Sequence, residues 1–75
     1  MDIYAEEKEK ATKFLNEFGN DPIIIDMLCQ IENEDLIHSD RWSLVFDILH
    51  EHYPHCRTGA LITGIVCLVE EGMRI

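Results

Sequence analysis

The ten residues ALITGIVCLV, at positions 60–69, decide the fold of this 75-residue chain. Apart from Thr63 the segment is apolar on every side, and a helix that is apolar all round must be enclosed by other parts of the protein. Thr58 suits the N-cap of such a helix, which we expect to run to about Glu71 and to stop at Gly72. The content of Ile, Val and Thr also suits a buried strand. Because no second convincing strand exists to pair with it, we predict a helix.

Small residues on this helix offer a place where another helix can pack closely. Ala60, Gly64 and Cys67 recur at helical spacing. Gly64 costs roughly 1 kcal/mol relative to Ala in a helix interior, so close packing is a reasonable offset. The helix is therefore either the centre of the fold or half of a contact between two copies. A homodimeric regulatory subunit, with these three residues at its contact, is one alternative that the sequence leaves open.

An amphipathic pattern predicts a first helix over residues 2–18. Gly19 stops this helix, because glycine takes the left-handed cap conformation at little cost. Asp21 and Pro22 then suit the N-cap and the first position of a second helix. We expect the second helix to end near Asn33.

A third helix is expected between a short connector, residues 34–38, and Pro54. Ser39 or Asp40 can cap its start. Pro54 ends it, because the residue before a proline avoids the helical region. Together the segments predict an all-α fold, a compact four-helix bundle with a central apolar C-terminal helix, in one domain of residues 1–75.

The negative charge of the chain is concentrated in its middle. Residues 14–56 carry nine carboxylates and one cation, Arg41, so this part accounts for −8 of the formal net charge of −9. An anionic surface attracts basic partners and repels nucleic acid and anionic membranes. Because carboxylates and phosphates both accept arginine side chains, such a surface can dock on a groove built for phosphate backbones.

Seven of these acids are predicted to bind a partner, because they follow the second helix, the connector and the outer side of the third helix. They are Asp26, Glu32, Glu34, Asp35, Asp40, Asp47 and Glu51. If the two helices are antiparallel neighbours, the charges form a continuous band. The predicted function is non-enzymatic: a small acidic interaction protein that binds a basic protein surface and inhibits or regulates its partner. Trp42 is assigned to the core, and it would become an interface anchor only if exposed.

In size, charge and helical content, the chain is similar to small acidic antagonists made by bacteriophages and mobile elements, some of which imitate DNA. The predicted partner is a protein with a basic surface, with nucleic-acid-binding proteins among the candidates, and the negative charge predicts no direct contact with nucleic acid. No motif carries the resemblance, so it assigns no residue roles.

A metal site is the alternative of a different class, because His50, His52, His55 and Cys56 are all of zinc-ligand type. Their spacing argues against joint action. On a helix His50 and His52 point about 200° apart, and Pro54 interrupts the helix between His52 and His55. We therefore expect no cofactor, with a His/Cys metal-binding protein as the alternative.

The cysteines and the missing motifs argue against an enzyme. Cys29 and Cys67 lie on mostly apolar helices and are predicted to be small core residues, whereas Cys56, between His55 and Arg57, is the more exposed thiol. Neither a G-x-S-x-G elbow nor a glycine-rich phosphate loop occurs. A chain this short also has little room to enclose a substrate pocket.

The compartment is predicted from weak but concordant signals. Three cysteines form an odd count without a C-x-x-C motif, which favours a reducing compartment. Residues 1–10 are charged and do not follow the pattern of a signal peptide, and the longest apolar-rich stretch is half of what a membrane span needs. We expect a cytoplasmic protein with no membrane partner.

Overall fold

The computed structural model describes residues 3–73. Four helices make up the fold: α1 (Ala5–Phe18), α2 (Pro22–Ile31), α3 (His38–His52) and α4 (Gly59–Gly72). No strand occurs within these residues. The predicted all-α bundle of four helices is therefore confirmed. The first helix begins at Ala5, so Ile3 and Tyr4, which were predicted to be helical, form a turn instead. The predicted start at Asp2 lies outside the described part of the chain.

The predicted starts of α2 and α4 are confirmed by their capping hydrogen bonds. The Asp21 carboxylate accepts a hydrogen bond from the Ile23 N–H at 2.9 Å, and Pro22 occupies the first helical position. At α4, the Thr58 hydroxyl oxygen accepts one from the Leu61 N–H at 3.2 Å. Both side chains satisfy N–H groups that a helix start leaves without partners, so these boundaries are set locally.

The start of α3 differs from the prediction. The helix begins at His38, with Ile37 at the N-cap position, so neither Ser39 nor Asp40 is the cap. Asp40 lies in the first turn instead, and its carboxylate accepts a hydrogen bond from the Ile37 N–H at 3.3 Å. An acid three residues into a helix reaches back in this way in the capping-box arrangement.

The end of α2 also comes earlier than expected. The helix stops at Ile31 rather than near Asn33. The Asn33 side chain accepts a hydrogen bond from the Asp35 N–H at 2.9 Å. Asparagine side chains compete in this way with helical hydrogen bonds, which explains a turn at this point.

The apolar helix α4 lies at the centre of the bundle, as predicted. It contacts each of the other three helices. Its residues Ile62, Ile65 and Val66 are at most 1% exposed and belong to the single buried cluster that α1, α2 and α3 complete. Despite this apolar character, none of the helices within residues 3–73 is long and apolar enough to cross a membrane.

Gly64 is the point of closest approach between α1 and α4. A Cβ atom added there would overlap the backbone carbonyl of Glu7 and would lie 3.0 Å from the Ala11 Cβ. Only glycine leaves room for α1 at this distance. The close helix contact that the small residues of α4 permit is therefore made within the chain, while Ala60 and Cys67 on either side are half-buried.

Helices α2 and α3 are antiparallel neighbours. Near the end of α2, the Arg41 Nε at the start of α3 donates a hydrogen bond to the Ile31 carbonyl at 2.8 Å. At the other end of the pair, the Tyr53 hydroxyl donates to the carboxylate of Asp21, the N-cap of α2. Because the two contacts join opposite ends, the chains run in opposite directions, which is the arrangement that the predicted acidic band requires.

Candidate partner-binding surface

All seven carboxylates predicted to bind a partner are exposed to solvent. We call this set, Asp26, Glu32, Glu34, Asp35, Asp40, Asp47 and Glu51, the acidic surface. On α3, at about 100° per residue, its three members fall within about 40° of one another around the helix axis. This stripe lies opposite Val45 and Leu49, which are fully buried. The burial of one side of α3 therefore presents these three acids on its other side.

Local hydrogen bonds hold several of these groups in place. The Asp26 carboxylate accepts a hydrogen bond from the Gln30 side-chain amide at 2.8 Å, one turn further along α2. Asp40 is held by the Ile37 N–H, and the turn at Asn33 orders the backbone of the connector. The connector therefore joins the acids of α2 to those of α3 as an ordered segment.

The only cation in this part of the sequence, Arg41, is turned into the protein. Its side chain is 8% exposed. Its Nε donates to the Ile31 carbonyl at 2.8 Å and its Nη2 donates to the Asn33 carbonyl at 3.0 Å. Its Nη1 lies 3.6 Å from the Glu70 Oε2 on α4. The guanidinium gives the Ile31 carbonyl a donor at the end of α2 and adds a second donor to the Asn33 carbonyl, which also accepts the Leu36 N–H. Within residues 3–73 it forms no ion pair with a carboxylate of the acidic surface.

The lysines of α1 do not neutralise the acidic surface either. Lys8 forms an ion pair with Glu71, and Lys13 lies 3.5 Å from Glu9, both acids outside the set. Within residues 3–73, no Lys or Arg lies within ion-pair distance of any of the seven carboxylates. The nearest positive candidate is His52, whose Nε2 lies 3.8 Å from Glu51. The surface therefore keeps almost all of its negative charge.

An apolar strip divides the acidic surface on α2. Helical geometry places Asp26 and Glu32 about 120° apart around the helix axis. Ile25, which is 48% exposed, and Cys29, also exposed, lie between them. Glu32 consequently stands on the side of α2 that is turned away from α3, while Asp26 and the acids of α3 share the other side.

The exposure of Cys29 contradicts the prediction that it is a core residue. The buried side of α2 is formed by Ile24, Met27 and Ile31, and Cys29 lies roughly opposite these residues. Cys67 is half-buried rather than part of the core. Cys56, which was predicted to be the more exposed thiol, is half-buried and packs against the core.

An apolar groove of about 480 Å³ opens beside Glu32, between α1, α2 and the end of α4. Its apolar walls are formed by Leu15, Leu28, Leu68, Val69 and Met73. Gly72 also lines it, and Glu32 is the one charged group among the described residues that do so. Sequence reasoning missed this groove, because its shape depends on how three helices are placed relative to one another.

The four residues of zinc-ligand type are not brought together. The His50 ring stacks on Phe46 at a centroid distance of 6.0 Å and accepts a hydrogen bond from the Arg57 guanidinium, whereas His52 turns to Glu51. In the described part of the chain, no group of three or more His, Cys, Asp or Glu side chains is arranged to hold a metal ion. The metal alternative therefore has no geometric support here.

Trp42 is half-buried against the core rather than displayed on the surface. Its ring stacks on Phe46 at 5.7 Å, and its Nε1 donates a hydrogen bond to the Thr63 hydroxyl at 3.2 Å. The hydrogen bond joins α3 to α4, while the ring stacks within α3 and packs against the core, so we do not assign Trp42 to the binding surface.

We find no protein-family model that matches this sequence, and no curated protein or solved structure that is significantly similar to it. Inference about function therefore depends on the geometry and charge of the surface described above.

Proposed function

We propose that this protein is a non-catalytic binding protein that presents its acidic surface to a basic surface of another protein and thereby inhibits or regulates it. The observation that supports this most strongly is the inward placement of Arg41. Arg41, the one Lys or Arg of residues 14–56, binds the carbonyls of Ile31 and Asn33 and lies beside Glu70. Within residues 3–73 the neighbouring carboxylates have no Lys or Arg partner, so another molecule can supply one.

The arrangement carries a cost that a basic partner removes. Like charges gathered on two neighbouring helices repel each other and lower the stability of the free protein. On association, Lys and Arg side chains of a partner replace that repulsion with attraction. Such an interface steers the encounter of the two proteins and weakens as salt screens the charges.

The stripe on α3 indicates the dimensions of the basic surface. At about 1.5 Å per residue, Asp40 and Glu51 are about 16 Å apart along the helix axis. A groove that binds a phosphate backbone offers Arg and Lys side chains over such a distance, and carboxylates accept the same arginine hydrogen bonds as phosphates. A nucleic-acid-binding protein is therefore the partner class that we propose.

The test is affinity capture from the native host with a matched pair of variants. Asp40→Lys combined with Asp47→Lys reverses two charges of the acidic surface. Glu6→Lys combined with Glu17→Lys makes the same change in net charge at exposed positions of α1. A partner of this surface is retained by the wild-type protein and by the α1 variant, and it is lost with the α3 variant.

Salt and competition complete the test. We expect the captured partner to dissociate steeply as salt rises from about 50 to 500 mM, and duplex DNA or RNA to compete for it. A partner that both variants retain equally, or that high salt leaves bound, would reject the acidic surface as its binding site.

A further inference from the structure

The groove beside Glu32 combines apolar walls with one carboxylate that has no ion-pair partner among the described residues. Its walls come from three helices, and its volume of about 480 Å³ lies in the range of pockets that hold sizeable apolar groups. Glu32 at its edge is exposed and has no ion-pair partner in residues 3–73. We propose that this groove takes the apolar face of a cationic amphipathic helix of the partner, with a Lys or Arg of that helix bound to Glu32.

This inference rests on the proposed function and specifies the shape of the partner. Ile25, Leu28 and Glu32 lie at positions i, i+3 and i+7 of α2, so the exposed Ile25 extends the apolar wall of the groove beyond Leu28. A helix laid along this side meets apolar side chains first and a carboxylate at their end. Amphipathic helices bind to grooves of this kind through side chains that recur at the same spacing.

Charge decides between a basic helix and other apolar occupants. A second copy of this chain carries a net charge of −9 and would bring its own carboxylates towards an unpaired Glu32. A fatty acid or another anionic amphiphile would place its negative group at the same carboxylate. Burying Glu32 without a positive partner is costly, whereas a Lys or Arg at the edge of the groove compensates for that burial.

The probe is a fluorescently labelled helical peptide of about 18 residues that contains only Leu and Lys, with Leu at helical spacing on one side. The first comparison peptide has the same composition in an order that gives no apolar face, and the second replaces every Lys with Glu. Binding is measured by fluorescence anisotropy at roughly 150 mM salt, where weak surface attraction is screened. We expect the patterned Leu/Lys peptide to bind at least about tenfold more tightly than either comparison peptide.

A filled groove provides the decisive variant. A side chain added at Gly72 meets no atom within 4 Å of its Cβ, so Gly72→Leu can occupy the groove without disturbing the helix. Gly59 is equally open and lies outside the groove, which makes Gly59→Leu the matched control. We expect Gly72→Leu to weaken binding of the patterned peptide about tenfold and Gly59→Leu to leave it unchanged. Glu32→Gln should weaken binding more than Glu34→Gln, which removes the same charge outside the groove.

The outcomes separate this inference from the proposed function. Equal binding of the patterned and unpatterned Leu/Lys peptides, no binding of the patterned peptide, or insensitivity to Gly72→Leu would overturn the groove assignment. Peptide binding that weakens only in the variant carrying Asp40→Lys and Asp47→Lys would also overturn it, but would support the acidic surface. Peptide binding that weakens in Gly72→Leu and is unchanged by those two charge reversals would support the groove and count against the acidic surface. Tighter binding of the Leu/Glu peptide would point to an anionic occupant and reject the proposal.

Discussion

Tyr53 and Asp21 join the end of α3 to the start of α2, because the Tyr53 hydroxyl donates a hydrogen bond to the Asp21 carboxylate. The same carboxylate accepts the Ile23 N–H that caps α2. The hydrogen bond from Tyr53, followed by the one from Ile23, lowers the pKa of Asp21 below its ordinary value of 3.8. In return, the hydrogen bond to Asp21 raises the pKa of Tyr53 to about 12. One contact thus makes the pairing of two helices sensitive to both acid and base.

At the acid end, we expect Asp21→Asn to reduce the loss of stability that the protein suffers at low pH. A carboxyl group with a lowered pKa in the folded state contributes stability above its unfolded pKa, and this contribution is lost as the pH falls through the folded value. Asn still caps α2 but does not titrate. The urea midpoint should therefore change less between pH 7 and about pH 3 in Asp21→Asn than in the wild-type protein.

Glu17→Gln is the control for this experiment. It makes the corresponding change from carboxylate to amide at an exposed position of α1 outside the acidic surface, where no Lys or Arg partner lies within residues 3–73. We expect it to keep the acid dependence of the wild-type protein. If both variants show equal pH dependence, the hydrogen bonds described at Asp21 do not stabilise its charged form.

At the alkaline end, we expect the stability of Tyr53→Phe to fall less than that of the wild-type protein as the pH rises. A raised pKa means that the protonated Tyr53 contributes stability below its unfolded pKa of about 10, and that this stability is lost as the pH rises towards about 12. Phe keeps the ring contacts with Phe14 and Phe18 at 5.6 and 5.1 Å. The difference in urea midpoint between the two proteins should be largest near neutral pH and should shrink above pH 10. A constant difference up to pH 12 would contradict the contact.

The predictable parts of this fold are those set within a few residues of the chain. Asp21 and Thr58 were identified as caps because each acts on a backbone N–H two or three positions away. The cap of α3 was predicted at Ser39 or Asp40, later in the chain than its observed place at Ile37, since an acid stabilises either the cap or the first turn and composition does not separate the two. The apolar sequence of α4 predicted that the helix is enclosed, at the centre of the fold or at a contact between two copies, and its contacts with the other three helices place it at the centre.

The features of the candidate site that could not be predicted depend on the packing of distant segments. Arginine is usually exposed, so nothing in the sequence indicated that Arg41 would close the end of α2 from a neighbouring antiparallel helix. Leu28 was expected on the inner side of α2, and only the position of α1 and α4 makes it a groove residue. The exposure of Cys29, in contrast, follows from helical spacing alone, which sets it opposite Ile24, Met27 and Ile31.

The buried position of Arg41 predicts a large effect of its removal. Arg41→Met removes the donor to the Ile31 carbonyl and the cation beside Glu70, while the Asn33 carbonyl keeps the Leu36 N–H. Because a buried acceptor without a donor is costly, we expect a loss of about 2 kcal/mol in the free energy of unfolding. Arg41→Lys should recover only part of it, since an ammonium group does not reproduce the two-carbonyl fork. Urea denaturation measures both.

Arg57→Met is the control for Arg41→Met. The Arg57 guanidinium lies over the Phe46 ring at 5.0 Å on an exposed part of the chain, so its loss should cost less than about 1 kcal/mol. Equal losses for the two variants would show that Arg41 is not the structural cation described here, and would remove the main support for an uncompensated acidic surface.

Gly64 provides a test of the α1–α4 contact and of the dimer alternative together. In Gly64→Ala the new methyl group overlaps the Glu7 carbonyl, so α1 must move, and we expect a loss of about 2–3 kcal/mol even though Ala favours helix. Gly72→Ala is the matched control, because no atom lies within 4 Å of the added Cβ and a gain of up to about 1 kcal/mol is expected there. Unfolding is followed at two protein concentrations. A contact within one chain gives a loss that is independent of concentration, whereas a loss that grows on dilution would place Gly64 between two copies.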